Sequence, residues 1–290
     1  MLKTRSLHPD FGVELPDLSI AALGAADFPE IRALFEEHSL LLFRDQEIDE
    51  ATHRRFAESF GPLEDLRGAA MGTPVERPMV SNRAETKGAL VADPEMRLLD
   101  LKANFLWHAD STFLPTPAIS NVLVGYVIPP SEGGATEVVS TRAGWAKLPE
   151  ELKARVRDKV FIHRFSHSRS LVDPRLGLLP QYTKYPDTHW RAVWTNPVNG
   201  REALLFGAHV AGVVGMSDAE GAALIEELMA ALTVPEAIYS HRWRPGDVLV
   251  WDQRATLHRG TPWNYDEERT LASFVSSAVE ADGISSVRVH

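Results

Sequence analysis

The segment Trp107-His108-Ala109-Asp110-Ser111-Thr112 sets an imidazole and a carboxylate two residues apart. In an extended chain, where successive side chains alternate between faces, that spacing puts both on the same side, within reach of one metal ion. The motif alone is cheap: His8-Pro9-Asp10 repeats it near the N-terminus, where it reads as ordinary terminal sequence. His108 and Asp110 stand out because of a distant stretch, Gly246-Asp-Val-Leu-Val-Trp-Asp-Gln-Arg-Ala-Thr-Leu-His258. It reads as a turn, a buried strand and a histidine at the strand's far end, a candidate third ligand. Two histidines and one carboxylate on one face of a metal leave the opposite positions open, the arrangement of non-haem iron(II) oxygenases. Zinc hydrolases use the same ligand types, but their helical His-Glu-x-x-His is absent.

Such a constellation needs a scaffold that brings distant segments together. Strand-like runs are numerous: Leu40 to Phe43, Asn121 to Ile128, Thr136 to Ser140, Ala203 to Phe206, Val248 to Trp251 and Leu271 to Ser277. Three helices are predicted, about Phe28 to His38, about Glu50 to Phe60, and one opened by the capping box Ser217-Asp-Ala-Glu220. Strands and helices do not alternate regularly and no Gly-rich phosphate loop is present, so dinucleotide and P-loop folds are excluded. The reading is mainly β with flanking helices. Pro129-Pro130, Gly133-Gly134, Pro197 to Gly200 and Pro245-Gly246 are spaced like turns within one fold, so residues 1–290 form a single domain. Asp65 to Lys102 has the weakest pattern and is predicted to hold a long loop of the kind that covers active sites.

Composition narrows the chemistry further. With no cysteine, the chain has no disulfide, thiolate zinc site or cysteine nucleophile, so a metal must be held by histidine and carboxylate. A formal charge of -10 without a basic stripe disfavours nucleic acid as a partner. No apolar run is long enough to span a membrane, and Met1 to Gly12 does not read as a secretory leader. No membrane association and a cytoplasmic location are the expectation.

The order His108-x-Asp110, Gly133-Gly134-x-Thr136, Trp251-Asp252, His258 and Arg269 resembles the TauD/TfdA family of iron(II)- and 2-oxoglutarate-dependent dioxygenases. Leu40-Leu-Leu-Phe-Arg44, Phe60-Gly-Pro-Leu63, Gly207-Ala-His209 and His241-Arg-Trp-Arg-Pro-Gly-Asp247 extend the similarity almost end to end, closer to the 2,4-D (aryloxyalkanoate) branch than to the taurine branch. The resemblance implies a double-stranded β-helix, a cupin-like jelly roll. It implies His108, Asp110 and His258 as iron ligands, and Arg269, eleven residues after His258, as the salt-bridge partner of the distal carboxylate of 2-oxoglutarate. Thr136 would hydrogen-bond the same carboxylate, Trp251 would line the cosubstrate pocket, and Asn104, four residues before His108, would lie near substrate and cosubstrate. The implied reaction uses iron(II), 2-oxoglutarate and dioxygen, releases succinate and carbon dioxide, and hydroxylates a small-molecule substrate. An aryloxyalkanoate or another catabolic or xenobiotic acid is expected, and an unstable product would fall apart. Relatives of this kind are commonly dimers or larger, so a homo-oligomer is expected. The same chemistry on a natural-product, nitrogen-containing or sulfonate substrate is the alternative. Readings from other classes are a non-catalytic binding protein on this fold, a cupin-like isomerase and a zinc hydrolase.

The chain departs from the family pattern at Ser273, four residues after Arg269, where relatives that bind anionic substrates usually carry a second arginine. Arg169, or Arg67 from the expected loop, would have to supply that charge, or the substrate lacks an anion. Ala135 stands where many relatives have aspartate or asparagine, and an altered turn is expected. Of the remaining histidines, His209 is the candidate for a place near substrate, with His163, His167, His189 and His241 read as structural. Trp190, Trp194, Trp243 and Trp263 read as packing or pocket-rim groups.

Overall fold

Val248-Leu-Val-Trp251 is apolar at every position, so no alternation assigns it a solvent face, and all four residues are buried. In the computed structural model, which describes residues 2–64, 79–82 and 93–289, this segment runs through the middle of the largest sheet. Numbered along the chain, the strands are β1 (Arg5–Ser6), β2 (Val13–Glu14), β3 (Leu40–Phe43), β4 (Met79–Ser81), β5 (Ala118–Val127), β6 (Thr136–Ser140), β7 (Val160–His163), β8 (Thr188–Arg191), β9 (Val193–Thr195), β10 (Glu202–Leu204), β11 (Val210–Val213), β12 (Tyr239–His241), β13 (Val248–Asp252), β14 (Thr256–Gly260) and β15 (Thr270–Ser277). The seven-stranded sheet has the order β1-β2-β3-β13-β5-β15-β4, and β12-β6-β14 form a second sheet. A third has the order β11-β7-β8, beside the ribbon β10-β9. Within the large sheet β2 pairs with β3 in parallel, while β13 is antiparallel to both its neighbours, β3 and β5.

The two-residue period of each strand sorts its side chains between two cores. Leu41, Phe43, Val248, Val250, Val122, Val124 and Phe274 face outward onto Ile31 and Phe35 of the helix Phe28–His38 and Phe56 of the helix Glu50–Glu58. The residues between them, Leu40, Leu42, Leu249, Trp251, Leu123 and Leu271, meet Val138 and Trp243 from the side of the second sheet. The second sheet is backed in turn by the helix Asp218–Leu232, whose Leu224, Leu228 and Leu232 pack with Leu257 and Val139. Its capping box is formed as predicted, Ser217 accepting from the Glu220 N–H and Glu220 reaching back to Ser217.

The outcome is mainly β-sheet with helices on the outer faces, with three corrections to the elements read from sequence. Between Thr141 and Thr183 lie five short helices that periodicity does not reveal: Thr141–Lys147, Glu150–Val156, Phe165–Ser170, Pro174–Gly177 and Pro180–Thr183. Each is too brief to show a repeating apolar face, and the last three are held by packing around Phe165, Leu176 and Tyr182. His258 is not at the end of its strand's run: the chain turns at Asp252–Ala255 and His258 lies on the next strand, β14. Within the stretch Asp65 to Lys102, expected to hold a loop, residues 65–78, including Arg67, and 83–92 lie outside the described residues. The described remainder is regular: β4 pairs with β15, and the helix Pro94–Lys102 begins where the Asp93 side chain accepts the Met96 N–H. Among the described residues no helix is long and apolar enough to cross a membrane.

Candidate active site

The crossing from β13 to β14 takes the chain from one sheet to the other and brings His258 opposite His108. Their main chains exchange two hydrogen bonds, His108 N–H to His258 O at 3.0 Å and His258 N–H to His108 O at 2.9 Å. In such a reciprocal pair both side chains leave the sheet on the same face, and the two imidazole centroids are 4.2 Å apart. Asp110, two residues on, presents its carboxylate to both rings: Nε2 of His108 is 3.6 Å from Oδ1, and Nε2 of His258 is 3.6 Å from Oδ2. Ligand atoms of the three residues all lie within 4.8 Å of one another. Bonds of roughly 2.1 Å to one ion would draw adjacent donors to about 3 Å, a small contraction. Directly after Asp110, the buried Ser111 adopts a left-handed φ of 59° that turns the chain away from the cluster. Gly207, at φ 132°, lets another segment approach: a Cβ there would sit 3.1 Å from the Cα of His108.

The protonation states suit a cation. Nδ1 of His108 is 2.7 Å from the Leu106 carbonyl, so the neutral ring donates there and turns an unprotonated Nε2 to the cluster. Burial lowers the pKa of His108, with Asp110 opposing the shift. Burial pushes His258 down to about 3, His108 adding to the effect and Asp110 opposing it. For Asp110, burial disfavours the charge, but His258, His108 and the Asn121 and Gln253 donors outweigh it and hold the carboxyl below its ordinary range. Two neutral imidazoles and one carboxylate are therefore ready at neutral pH without releasing protons.

These groups open on a cavity of ≈ 180 Å³ between the two sheets. Alternation supplies its walls: Asn121 and Leu123 from β5, Leu271, Ser273 and Val275 from β15, His258 and Gly260 from β14. Arg269 reaches it from the start of β15. Its Nε donates to the Gly134 carbonyl at 3.0 Å, its guanidinium lies 5.0 Å from the centre of the Trp263 ring, and burial lowers its pKa to about 10. Gly134 has φ 64°, and a Cβ there would approach Arg269 Nε to 3.0 Å, which explains a glycine at that position. No carboxylate among the described residues pairs with Arg269. Thr136 lines the same cavity, and its Oγ1 is 3.0 Å from Trp243 Nε1. An indole N–H only donates, so Thr136 accepts there and keeps its own proton for another acceptor. A buried guanidinium and a free hydroxyl proton form a site for a carboxylate.

Trp251 and Asn104 also line the cavity, Trp251 with its ring 4.4 Å from that of His258. All seven residues singled out from the sequence thus converge on one chamber. His8 does not: its ring meets the Glu236 carbonyl at the surface, and Asp10 pairs with Lys147. Arg169 is paired with Asp100 at 2.9 Å and lies over Phe165 and Tyr182, so its charge is already met. His209 is buried between His108 and Phe113, with ring centroids at 6.2 and 4.9 Å. His163 hydrogen-bonds Thr112, His241 faces Asp247, His167 is half-buried and His189 is exposed. Trp190 and Trp194 are core groups whose indoles donate to the Thr112 and Asp282 carbonyls.

Sequence reasoning missed Gln253 and Asn121, which both donate to Asp110 Oδ2. It also missed Glu64, whose carboxyl burial pushes up to about 7, Ser111 opposing and the charge of Asp110 adding to the rise. Gln253, next to Asp252 in the motif already singled out, carried the one available signal, its position in the turn before His258.

Comparisons with known proteins point to one family. Residues 3–274 match the family model described as taurine catabolism dioxygenase TauD, TfdA family. The chain is 34% identical to the alpha-ketoglutarate-dependent 2,4-dichlorophenoxyacetate dioxygenase of Cupriavidus pinatubonensis, over 91% of this chain and 94% of that one. It is also 34% identical to the (S)-phenoxypropionate/alpha-ketoglutarate-dioxygenase of Sphingobium herbicidovorans, over 91% of each. Among solved structures, AAD-2 in complex with Mn(II) and N-oxalylglycine superposes with a TM-score of 0.86 at 29% identity, covering 96% of this chain and 98% of that one. With two relatives above 30% identity over nearly their whole length and a family model spanning most of the sequence, the chain belongs to the TauD/TfdA family of 2-oxoglutarate-dependent dioxygenases.

Proposed function

We propose that the chain uses iron(II), 2-oxoglutarate and dioxygen to hydroxylate a small aryl ether acid of the aryloxyalkanoate type, with His108, Asp110 and His258 as the metal ligands. The observation that carries this reading is one cavity shared by a neutral-His, neutral-His, carboxylate cluster and a buried guanidinium without a carboxylate partner among the described residues. Arg269 would hold the distal carboxylate of 2-oxoglutarate through paired charge-assisted bonds, Thr136 would donate its remaining proton to it, and Trp251 would wall the chelating end. Asn104, which lines the same cavity, would lie near substrate and cosubstrate. The bound metal supplies dioxygen activation coupled to oxidative decarboxylation of 2-oxoglutarate. The protein orients both reactants and excludes water from the chamber. Leu101, Phe105, Leu271, Val275 and Val80 offer an apolar wall to an aromatic ring. If the hydroxylated carbon bears the ether oxygen, the product is a hemiacetal that collapses to a phenol and a carbonyl compound. A double-stranded β-helix forming one domain over residues 1–290 is the fold that fits two facing sheets crossed by β13 and β14, and the structural likeness to AAD-2 supports it.

A second reading has its own support. Ser273 faces the cavity where a guanidinium would be needed to clamp a substrate anion, and Arg169 is occupied by Asp100. An uncharged aryl ether or natural product meets these walls without an unpaired charge. The test is a screen with iron(II), 2-oxoglutarate and ascorbate, measuring succinate and phenol release from aryloxyalkanoic acids and from the matching neutral ethers. Substrate-dependent succinate with phenol from the acids supports the first reading, and release from the neutral ethers alone moves the assignment to the second. Loss of turnover in His108→Ala is expected in both. Ligand binding with no oxygen consumption for any compound would identify a non-catalytic binding protein instead.

A further inference from the structure

The carboxylate of Asp110 is gripped at one oxygen. Gln253 Nε2 donates to Oδ2 at 2.5 Å and Asn121 Nδ2 donates to the same oxygen at 2.9 Å. Gln253 Oε1 accepts the main-chain N–H of Asp110 at 2.9 Å, so one side chain ties both the backbone and the carboxylate. Ser273 Oγ lies 2.8 Å from Asn121 Oδ1 and donates to it. The amide orientations follow from chemistry: an ionised carboxylate only accepts, so both NH₂ groups must face Asp110 and both amide oxygens must face donors.

Gln253 owes its position to the turn that joins β13 to β14, and that turn is pinned from both sides. Its own N–H donates to the Ile119 carbonyl at 3.0 Å. Asp252 Oδ1 accepts from the Arg254 main chain and from Nε, each at 2.9 Å, and Oδ2 accepts from a terminal guanidinium nitrogen at 2.8 Å. Arg254 continues to Glu36 at 2.6 Å and to the Asp282 carbonyl at 3.2 Å. Asp252, Arg254 and Glu36 are all buried, so the turn carries Gln253 on a rigid ionic support.

We propose that Gln253 and Asn121, with Ser273 fixing Asn121 from behind, are positioning residues that commit Asp110 to a metal through Oδ1 alone. This rests on the reading of His108, Asp110 and His258 as ligands. Two N–H bonds occupy Oδ2, leaving Oδ1, which accepts no hydrogen bond among the described residues, as the metal-binding oxygen beside His108 Nε2. Single-oxygen binding matters because an octahedral ion with two imidazoles and one carboxylate oxygen has three positions left, enough for a chelating 2-oxo acid and dioxygen; a second carboxylate oxygen would close one of them. The same geometry gives Ser273 a task on the metal side of the chamber, its hydroxyl proton being committed to Asn121 and withheld from substrate. His258, by contrast, has a buried Nδ1 without a hydrogen-bond partner among the described residues and is oriented by its strand and by Trp251. Orientation of the cluster therefore depends on the support of Asp110 and on the Leu106 carbonyl at His108.

The test is titration of the metal-free protein with Mn(II), followed by calorimetry and by the electron paramagnetic resonance spectrum of the bound ion. Gln253→Met, which keeps length and loses both hydrogen bonds, is expected to weaken Mn(II) binding by about 10- to 100-fold and to alter the spectrum. Ser273→Ala is expected to weaken it several-fold, and Ser273→Thr, which keeps the hydroxyl, to restore it. Unfolding of each metal-free variant checks that the fold is kept, and Ser273→Ala carries the test if Gln253→Met does not fold. Mn(II) affinity and spectrum unchanged in both variants would overturn the positioning role. A wild-type protein that binds no Mn(II) would be a different failure, overturning the ligand reading and this inference with it.

Discussion

Arg269 is the residue whose removal separates a cosubstrate anchor from a structural cation. Its pKa falls from 12.5 to about 10 on burial, and at about 1.4 kcal/mol per unit the charged form costs the metal-free fold about 3 kcal/mol at neutral pH. Against that cost stand the bond to the Gly134 carbonyl, a charged-group hydrogen bond contributing about 1.5–3 kcal/mol, and the contact with Trp263, about 0.5–2 kcal/mol. The terms nearly cancel, so Arg269→Met, which keeps most of the apolar stem, is expected to leave the stability of the metal-free protein within about 1 kcal/mol of wild type. Toward 2-oxoglutarate the loss is one-sided. Two charge-assisted bonds at about 1.5–3 kcal/mol each predict an affinity lower by roughly 10²- to 10⁴-fold. The assay is anaerobic titration with iron(II) and 2-oxoglutarate, following the weak visible charge-transfer band of the chelated cosubstrate, beside urea unfolding of the metal-free proteins. A band that forms in the variant at wild-type concentrations would refute the anchor. So would a variant that loses several kcal/mol without ligand, which would mark Arg269 as structural.

Three further outcomes follow from buried groups. His163 and His258 are each held down to about 3 against an ordinary 6.5, so the unfolded chain takes up protons first as pH falls below 6.5. Stability is then unaffected above that value and is lost between 6.5 and about 3, by about 1.4 kcal/mol per histidine at one unit below 6.5. Urea unfolding of the metal-free protein near neutral pH and near pH 5.5 checks this, and equal stability at the two would contradict the burial argument. Glu36→Gln removes an anion that faces Arg254 and Arg32 in the interior, and a loss of about 3–5 kcal/mol is expected, read from the thermal or denaturant midpoint. Gly207→Ala places a methyl group 3.1 Å from both the His108 Cα and Leu257 Cδ2 at a left-handed φ. It is expected to cost about 1–3 kcal/mol and to weaken Mn(II) binding through displacement of His108, which calorimetry on the folded variant would show.

Much of the chamber was legible because its parts are chemically unusual where they stand. A histidine and an acid two residues apart, a tryptophan-aspartate pair before a histidine, and an arginine opening an apolar strand are each visible in short segments. Gln253, Asn121 and Glu64 were not, because nothing in their neighbours marks an amide or an acid as lying beside Asp110. Asn121 reads only as a polar residue at the start of an apolar run, and its meaning comes from β15 placing Ser273 behind it. The helices between Thr141 and Thr183 were missed for a related reason, since segments of four to seven residues are stabilised by neighbours and leave no periodic trace.

Ligand chemistry, the exclusion of thiol and phosphate-loop sites, the β-rich pattern and the family could all be read from residue types and their order, because each is a property of a short segment or of composition. Tertiary structure alone decided which oxygen of Asp110 is held, that Arg169 is spent on Asp100, that Ser273 serves Asn121, and that His258 sits across from His108 on a new strand. Those facts depend on strand register and on the pinned turn at Asp252–Ala255, where β13 leaves one sheet and β14 enters the other. A shift of one residue in the pairing of β14 with β6 would turn His258 to the opposite face.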